Sequence, residues 1–211
     1  MLTAREAVRL PAATLSLSRA PRGNGRPVLL VPGLGATDAS LLPLRLYLRH
    51  LGHRADAIGL GRVTDDVLGQ YERVREQTVA LRRRTGQPIV IIGWSIGGVL
   101  ARETARDVPG DVARIITFGT PVVGGPASSV VGRRYDRATL AGIRARVDER
   151  NRTPIHVPIT AIWSRNDGIV DPAACIDRLS PDVENIEVTS THLGMGVDPE
   201  VWRIIANRLA R

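Results

Sequence analysis

Gly93-Trp94-Ser95-Ile96-Gly97-Gly98 sets one serine between glycines two positions before and two after it. This spacing suits a hydroxyl that attacks an electrophilic carbonyl. Such a nucleophile stands on a sharp turn from strand to helix, and small residues two places away on either side avoid clashes there. A chain with 21 glycines can carry the pentapeptide by accident, so its flanks must decide. "PIVII" before it reads as a buried strand, and "VLARETA" after it continues at helical spacing. On such a turn the amide of Ile96 lies at a helix N-terminus, where partial positive charge favours an oxyanion.

A serine hydroxyl at its ordinary pKa is a weak nucleophile and needs an imidazole within reach. The histidines are His50, His53, His156 and His192. His50 and His53 flank Gly52 at a helix-to-strand junction, and His156 precedes a strand start, so all three belong to the strands' N-terminal edge. His192, in "VTSTHLGMG", follows the last strand and shares the C-terminal edge with Ser95. The imidazole in turn needs an acid to fix its tautomer. "ITAIWSRNDGIVDP" offers Asp167 and Asp171. Asp171 precedes Pro172 and suits the N-cap of the next helix, so Asp167 is the preferred acid. The order Ser95, Asp167, His192 is the one expected when each follows a successive strand. A second oxyanion amide is expected at Leu34, after the turn in "LLVPGLGATD"; the glycines there also suit a plain tight loop. Leu34, Trp94, Ile96, Val122, Leu193 and Met195 are the expected lining of a substrate pocket.

These loops need a frame. Apolar runs at 27–33, 88–93, 112–121 and 157–164 read as strands, with a weaker strand at 53–60 and the last at 183–190. Helical patterns lie at 38–52, 64–86, 96–108, 171–179 and 198–210. Alternation of this kind predicts an α/β fold: one domain over residues 1–211 with a mostly parallel sheet of about six strands and helices on both faces. Residues 122–156 break the rhythm. They hold an arginine-rich helical stretch from Asp136 to Arg150, which reads either as a solvated crossover helix or as a small lid over the sheet's C-terminal edge.

Composition removes several other functions. The net charge is +8, every one of the 29 basic residues is arginine, and aromatic residues are 3%. Dispersed arginines without stacking aromatics make nucleic acid an unexpected partner; weak contact with an anionic membrane surface fits the charge better. The loop after the first strand lacks G-x-G-x-x-G, and a chain without lysine has no Gly-Lys-Ser/Thr phosphate loop. One cysteine, Cys175, excludes an internal disulfide and reads as a packed core thiol. No signal-peptide pattern and no apolar run of transmembrane length is seen, so a cytoplasmic location is expected.

Over nearly the whole chain from about Pro27, the segments "PVLLVPGLGA", "GWSIGG", "FGTP", "WSRNDGIVD" and "STHLGM" resemble the α/β-hydrolase superfamily. Compact bacterial lipase- and esterase-like serine hydrolases are the nearest in pattern, with the GPI inositol deacylase-like lipases among the relatives. The resemblance implies a nucleophile at Ser95, an acid at Asp167, a base at His192 and oxyanion amides at Leu34 and Ile96. It also implies hydrolysis of small-molecule or lipid carboxylic esters with no cofactor and no metal. Acyl transfer or thioester cleavage by the same three residues is the alternative. The first loop departs from many lipases in having Pro-Gly for His-Gly, which keeps the amide. The large cap is reduced to residues 122–156 at most, and "ATLSLSRAP" (13–21) is the one candidate remnant of the fold's early antiparallel strands.

Overall fold

A computed structural model describes residues 2–211, with side chains from residue 8 onward. Six strands form one sheet: β1 (Pro27–Val31), β2 (Arg54–Ala57), β3 (Ile89–Trp94), β4 (Val112–Phe118), β5 (Ile159–Ser164) and β6 (Val183–Val188). Their order is β2-β1-β3-β4-β5-β6 and every pairing is parallel. The mostly parallel sheet of about six strands expected from the sequence is observed as six strands, all of them parallel.

The helices are α1 (Leu2–Ser18), α2 (Leu42–His50), α3 (Val67–Thr85), α4 (Ile96–Asp107), α5 (Arg137–Asn151) and α6 (Pro199–Leu209). Strand side chains alternate between the sheet's two faces. Val28, Leu30, Val90, Ile92, Ile116 and Phe118 pack with Leu44 and Leu48 of α2, Leu17 of α1 and Ile205 of α6. Leu29, Val31, Ile89, Ile91 and Ile115 pack on the opposite face with Val74 and Leu81 of α3 and Leu100 of α4. Burial on both faces is why these strands read as unbroken apolar runs rather than as alternating ones.

From β1 the chain passes to one side to make β2, then returns to make β3 on β1's other flank. The loops leaving β1 and β3 thus diverge, and the crevice between such loops is where open parallel sheets bind ligands. Ser95 stands in it, directly after β3.

Two expectations are corrected. The stretch 13–21 is not a strand remnant; through Ser18 it belongs to α1. The alternation in Thr14-Leu15-Ser16-Leu17-Ser18 imitates a strand. Yet Leu17 is buried and Leu15 is exposed, while Leu10 and Ala13 join Leu17 on the core at helical spacing. The Thr14, Ser16 and Ser18 hydroxyls donate to the carbonyls of Pro11, Ala13 and Leu15, a bond pattern of helices. The helix expected at 171–179 is only a 3-10 turn, Pro172–Cys175. Its continuation is captured by Asp177, whose buried carboxylate accepts from the amides of Leu179 and Ser180 and pairs with Arg102 of α4 at 2.7 Å. Burial by itself would raise the Asp177 carboxyl; the Arg102 charge and those amides outweigh it and hold the group below the usual carboxylate range.

Residues 122–156 contain two 3-10 turns, Gly125–Ser128 and Val130–Arg134, and then α5. Helix α5 has no fully buried residue. It starts on an N-cap, the Asp136 carboxylate accepting from Thr139 N at 2.8 Å. Near its other end Arg150 pairs with Glu103 and Asp107 of α4. Exposed pairs of this kind contribute at most about 1 kcal/mol each, so they orient α5 more than they stabilise it.

Candidate active site

The turn from β3 into α4 is made by close backbone packing. A Cβ on Gly97 would stand 2.5 Å from the carbonyl oxygen of Pro32 and closer still to that of Val31. A Cβ on Gly93 would meet the Gly97 carbonyl at 2.5 Å, and one on Gly98 would collide with Thr120. Ser95 itself has φ 55° and ψ −121°, the only positive φ at a non-glycine among the described residues. Such a conformation costs about 1–3 kcal/mol and persists only where the surroundings impose it. Here they do. Ser95 N donates to Phe118 O at 2.9 Å, and the Thr120 hydroxyl donates to Ser95 O at 3.1 Å. Ser95 remains partly exposed, whereas both its neighbours are buried.

Ile96 is the first residue of α4, so its amide has no acceptor within the helix. The loop after β1 lies alongside: a Cβ on Gly33 would be 3.3 Å from Ser95 Cβ. Ala36 N donates to Gly33 O at 3.1 Å and Gly35 N to Val63 O at 2.8 Å, which turns the chain at Leu34.

The loops after β5 and β6 meet on the same edge. His192 Nδ1 and Asp167 Oδ2 are 2.8 Å apart, with both side chains buried. The backbones are joined as well, His192 N donating to Asp167 O at 3.0 Å. The other oxygen of Asp167 accepts from Ile169 N (2.9 Å) and Val170 N (2.6 Å). Asp171, the rival acid, spends its carboxylate as an N-cap on Ala173 N at 3.0 Å. The Trp94 ring, one residue before Ser95, lies 5.9 Å from the imidazole between centroids and also stacks on Phe118. Burial pushes the Cys175 thiol up, with the charges of Asp167 and Asp171 acting in the same direction. That thiol is inert packing beneath the loop.

The other three histidines lie at the opposite edge. His50 ends α2, His53 directly precedes β2, and His156 stands shortly before β5. His50 and His156 are exposed. His53 is buried without a hydrogen-bond partner on either ring nitrogen, and burial together with Arg26 pushes it below its usual value. It is held as a neutral packing residue against Gly23.

Of the expected pocket residues, Trp94, Ile96 and Val122 are buried, Leu34 is partly exposed and Leu193 is open to solvent. Met195 is fully buried, in the core layer shared with α2 and α6. A shallow groove of about 390 Å³ between α1 and α6 contains none of these six residues. Two contributors were not singled out from the sequence. Gly119, at φ 57°, leaves the space in which the imidazole and carboxylate sit, since a Cβ there would be 2.8 Å from His192 Nδ1. Thr120 braces Ser95 as described. Their only signal was the segment "FGTP" after β4.

Residues 28–208 match the alpha/beta hydrolase family. The chain belongs to that family. Membership supports hydrolase activity, and the solved structures similar to it agree in fold. A Bacillus licheniformis lipase in mature form superposes with a TM-score of 0.68 at 12% identity, over 90% of this chain and 94% of that one. A structure from a study of two metagenome-derived lipolytic enzymes gives 0.66 at 16% identity over 90% and 93%. A thioesterase domain from the curacin biosynthetic pathway gives 0.63 at 14% identity over 91% and 93%. At such identities the likeness is one of fold. No curated protein sequence matches the chain. No helix among the described residues is long and apolar enough to cross a membrane.

Proposed function

We propose that the protein is a serine hydrolase of carboxylic esters, of the esterase or lipase kind. Ser95 Oγ attacks the ester carbonyl while His192 Nε2 accepts its proton. Asp167 fixes His192 with the proton on Nδ1 and balances the imidazolium that forms. The amides of Leu34 and Ile96 hold the tetrahedral oxyanion. Collapse of that intermediate expels the alcohol, which takes the proton from His192, and leaves an acyl group on Ser95. Water activated by His192 then attacks the acyl-enzyme and releases the acid. Every proton passes through the imidazole, and neither metal nor cofactor enters the balance.

The observation that supports this reading is the buried 2.8 Å contact between His192 Nδ1 and Asp167 on the sheet edge where Ser95 holds its strained turn. A structural histidine would also donate such a bond. A partly exposed serine forced to φ 55° on the same edge is harder to explain by packing alone.

The test is labelling with a fluorophosphonate probe, mapped by peptide mass, followed by hydrolysis of p-nitrophenyl esters of graded acyl length. Label on Ser95 alone is expected. In Ser95→Ala, kcat should fall by about a million-fold. Label on another residue, or undiminished hydrolysis by the purified variant, refutes the assignment.

A further inference from the structure

We propose that the chain between β4 and α5 is a clasp that holds the Asp167 carboxylate in place for His192, and not a cover that lifts from the site. The inference rests on the roles proposed above for Ser95, Asp167 and His192.

The direction of the carboxylate is set by the amides of Ile169 and Val170, which bind its second oxygen. Those two residues lie between β5 and β6 but pair with neither strand. Their support comes from residues 122–130. Val130 N donates to Ile169 O at 2.9 Å, and Asp171 N donates to Ser128 O at 2.9 Å; together these form an antiparallel bridge between Ser129 and Val170. Farther along, Val122 N and Val123 N both donate to Ala174 O, at 2.8 and 3.1 Å. Four backbone bonds thus bind the two segments along their length.

The clasp is itself fixed at both ends. The Ser129 hydroxyl donates to Pro126 O at 2.8 Å and accepts from Val131 N at 3.2 Å. Asn151, the last residue of α5, donates from its side chain to Val122 O at 2.9 Å. Val122 and Val170 are both buried, so separating the segments would expose apolar surface as well as unpaired amides. Lifting residues 122–130 would free the backbone that aims Asp167, so such a lid would disarm the site each time it opened.

Val130 allows one bond to be removed cleanly. It is the first residue of the 3-10 turn Val130–Arg134, where proline's fixed φ and missing N–H are tolerated. Ser129 before it is already extended, at φ −141° and ψ 168°, as a residue preceding proline must be. In Val130→Pro, kcat should fall about tenfold to a hundredfold, because small misplacements of the acid misalign the base. KM should stay within about twofold, since uniform substrate binding is untouched. The low-field proton resonance of His192 Nδ1–H should broaden or vanish. Val130→Ala, which restores the amide, should restore both readouts. In the unaltered protein the amides of Val130 and Asp171 should exchange with deuterium as slowly as that of Val170.

Wild-type kcat and an unchanged resonance in Val130→Pro would overturn the clasp, and so would free exchange of the Val130 and Asp171 amides in the folded protein. The exchange measurement decides if the proline variant does not fold. Ser95→Ala separates the two levels: hydrolysis that survives it removes the functional reading, whereas hydrolysis lost in Ser95→Ala but normal in Val130→Pro removes the clasp alone.

Discussion

The turn that carries Ser95 and the turn that carries Asp167 sit on the same edge of one sheet, yet they are held by opposite means. The first is held by missing side chains. Gly93 and Gly97 let backbone press on backbone, Val31 and Pro32 of the neighbouring strand and loop filling the space a methyl on Gly97 would need, and Gly98 makes room for the Thr120 side chain. The second is held by hydrogen bonds. One oxygen of Asp167 binds two amides, the other binds His192, and the amides are backed by a second segment. Steric crowding can force a serine into a strained conformation and keep it there. Hydrogen bonds can aim a carboxylate without straining it. Each device suits its residue: the nucleophile must be exposed on a sharp turn, whereas the acid must be buried and oriented.

Among the tests of this contrast, the largest expected effect falls on the hydrogen-bonded side. In Asp167→Asn the amide oxygen can still accept from Ile169 and Val170, but the side-chain NH2 then faces His192 Nδ1 and demands the wrong tautomer. On the proposed mechanism kcat should drop by about ten-thousandfold. The melting temperature should stay within about 3 °C, because the loop keeps its amide bonds. Steady-state kinetics beside a thermal scan reads both. Unfolding of this variant would show that the acid turn depends on charge as well as on bonding, and the contrast would fail.

Next in size is Gly97→Ala, which tests the steric side. The added methyl has no flexible neighbour to displace, since the three atoms nearest it belong to the carbonyl groups of Val31 and Pro32. Destabilisation of about 3 kcal/mol or more is expected from forcing that overlap. For a chain of 211 residues this lowers the melting temperature by about 6–12 °C. Urea unfolding measures it directly. A loss under about 1 kcal/mol would mean that the turn yields, and that crowding is not what holds Ser95.

The same contrast explains what could be read in advance. Crowding restricts residue type, so the Ser95 turn was written in the chain as a pattern of glycines around a serine. The sheet was legible for a related reason: strands covered on both faces must be apolar throughout. The backing of Asp167 was not legible, because any residue can supply a backbone amide, and "VVGGPASSVV" gives no sign that it pairs with "IVDPAA". Asp167 and His192, expected together from their order in the chain, meet both through their side chains and through the backbone. The errors have the same origin. Helix α1 was hidden because Thr-Leu-Ser-Leu-Ser alternates like a strand, while its hydroxyls serve carbonyls three residues back. The shortened turn at Pro172–Cys175 depends on a buried pair between Asp177 and Arg102, which lie 75 positions apart in the chain.

The smallest effect is the closest control on the comparison, because it places the same substitution in the other turn. Gly168 directly follows Asp167 and has φ 74°. A Cβ there would meet nothing nearer than Asn166 O at 3.9 Å. Gly168→Ala therefore carries the left-handed penalty alone, about 1–2 kcal/mol, without the overlap that Gly97→Ala imposes. The melting temperature should fall by about 2–8 °C. Because Gly168 is exposed and the Asp167 carboxylate keeps its amides, kcat should fall no more than about threefold. The two alanine variants, unfolded side by side in urea, give a difference from which the unfolded-chain entropy change common to both glycine-to-alanine replacements is removed. If Gly168→Ala proves as damaging as Gly97→Ala, the acid turn is as crowded in solution as the nucleophile turn, and hydrogen bonding alone does not account for its geometry.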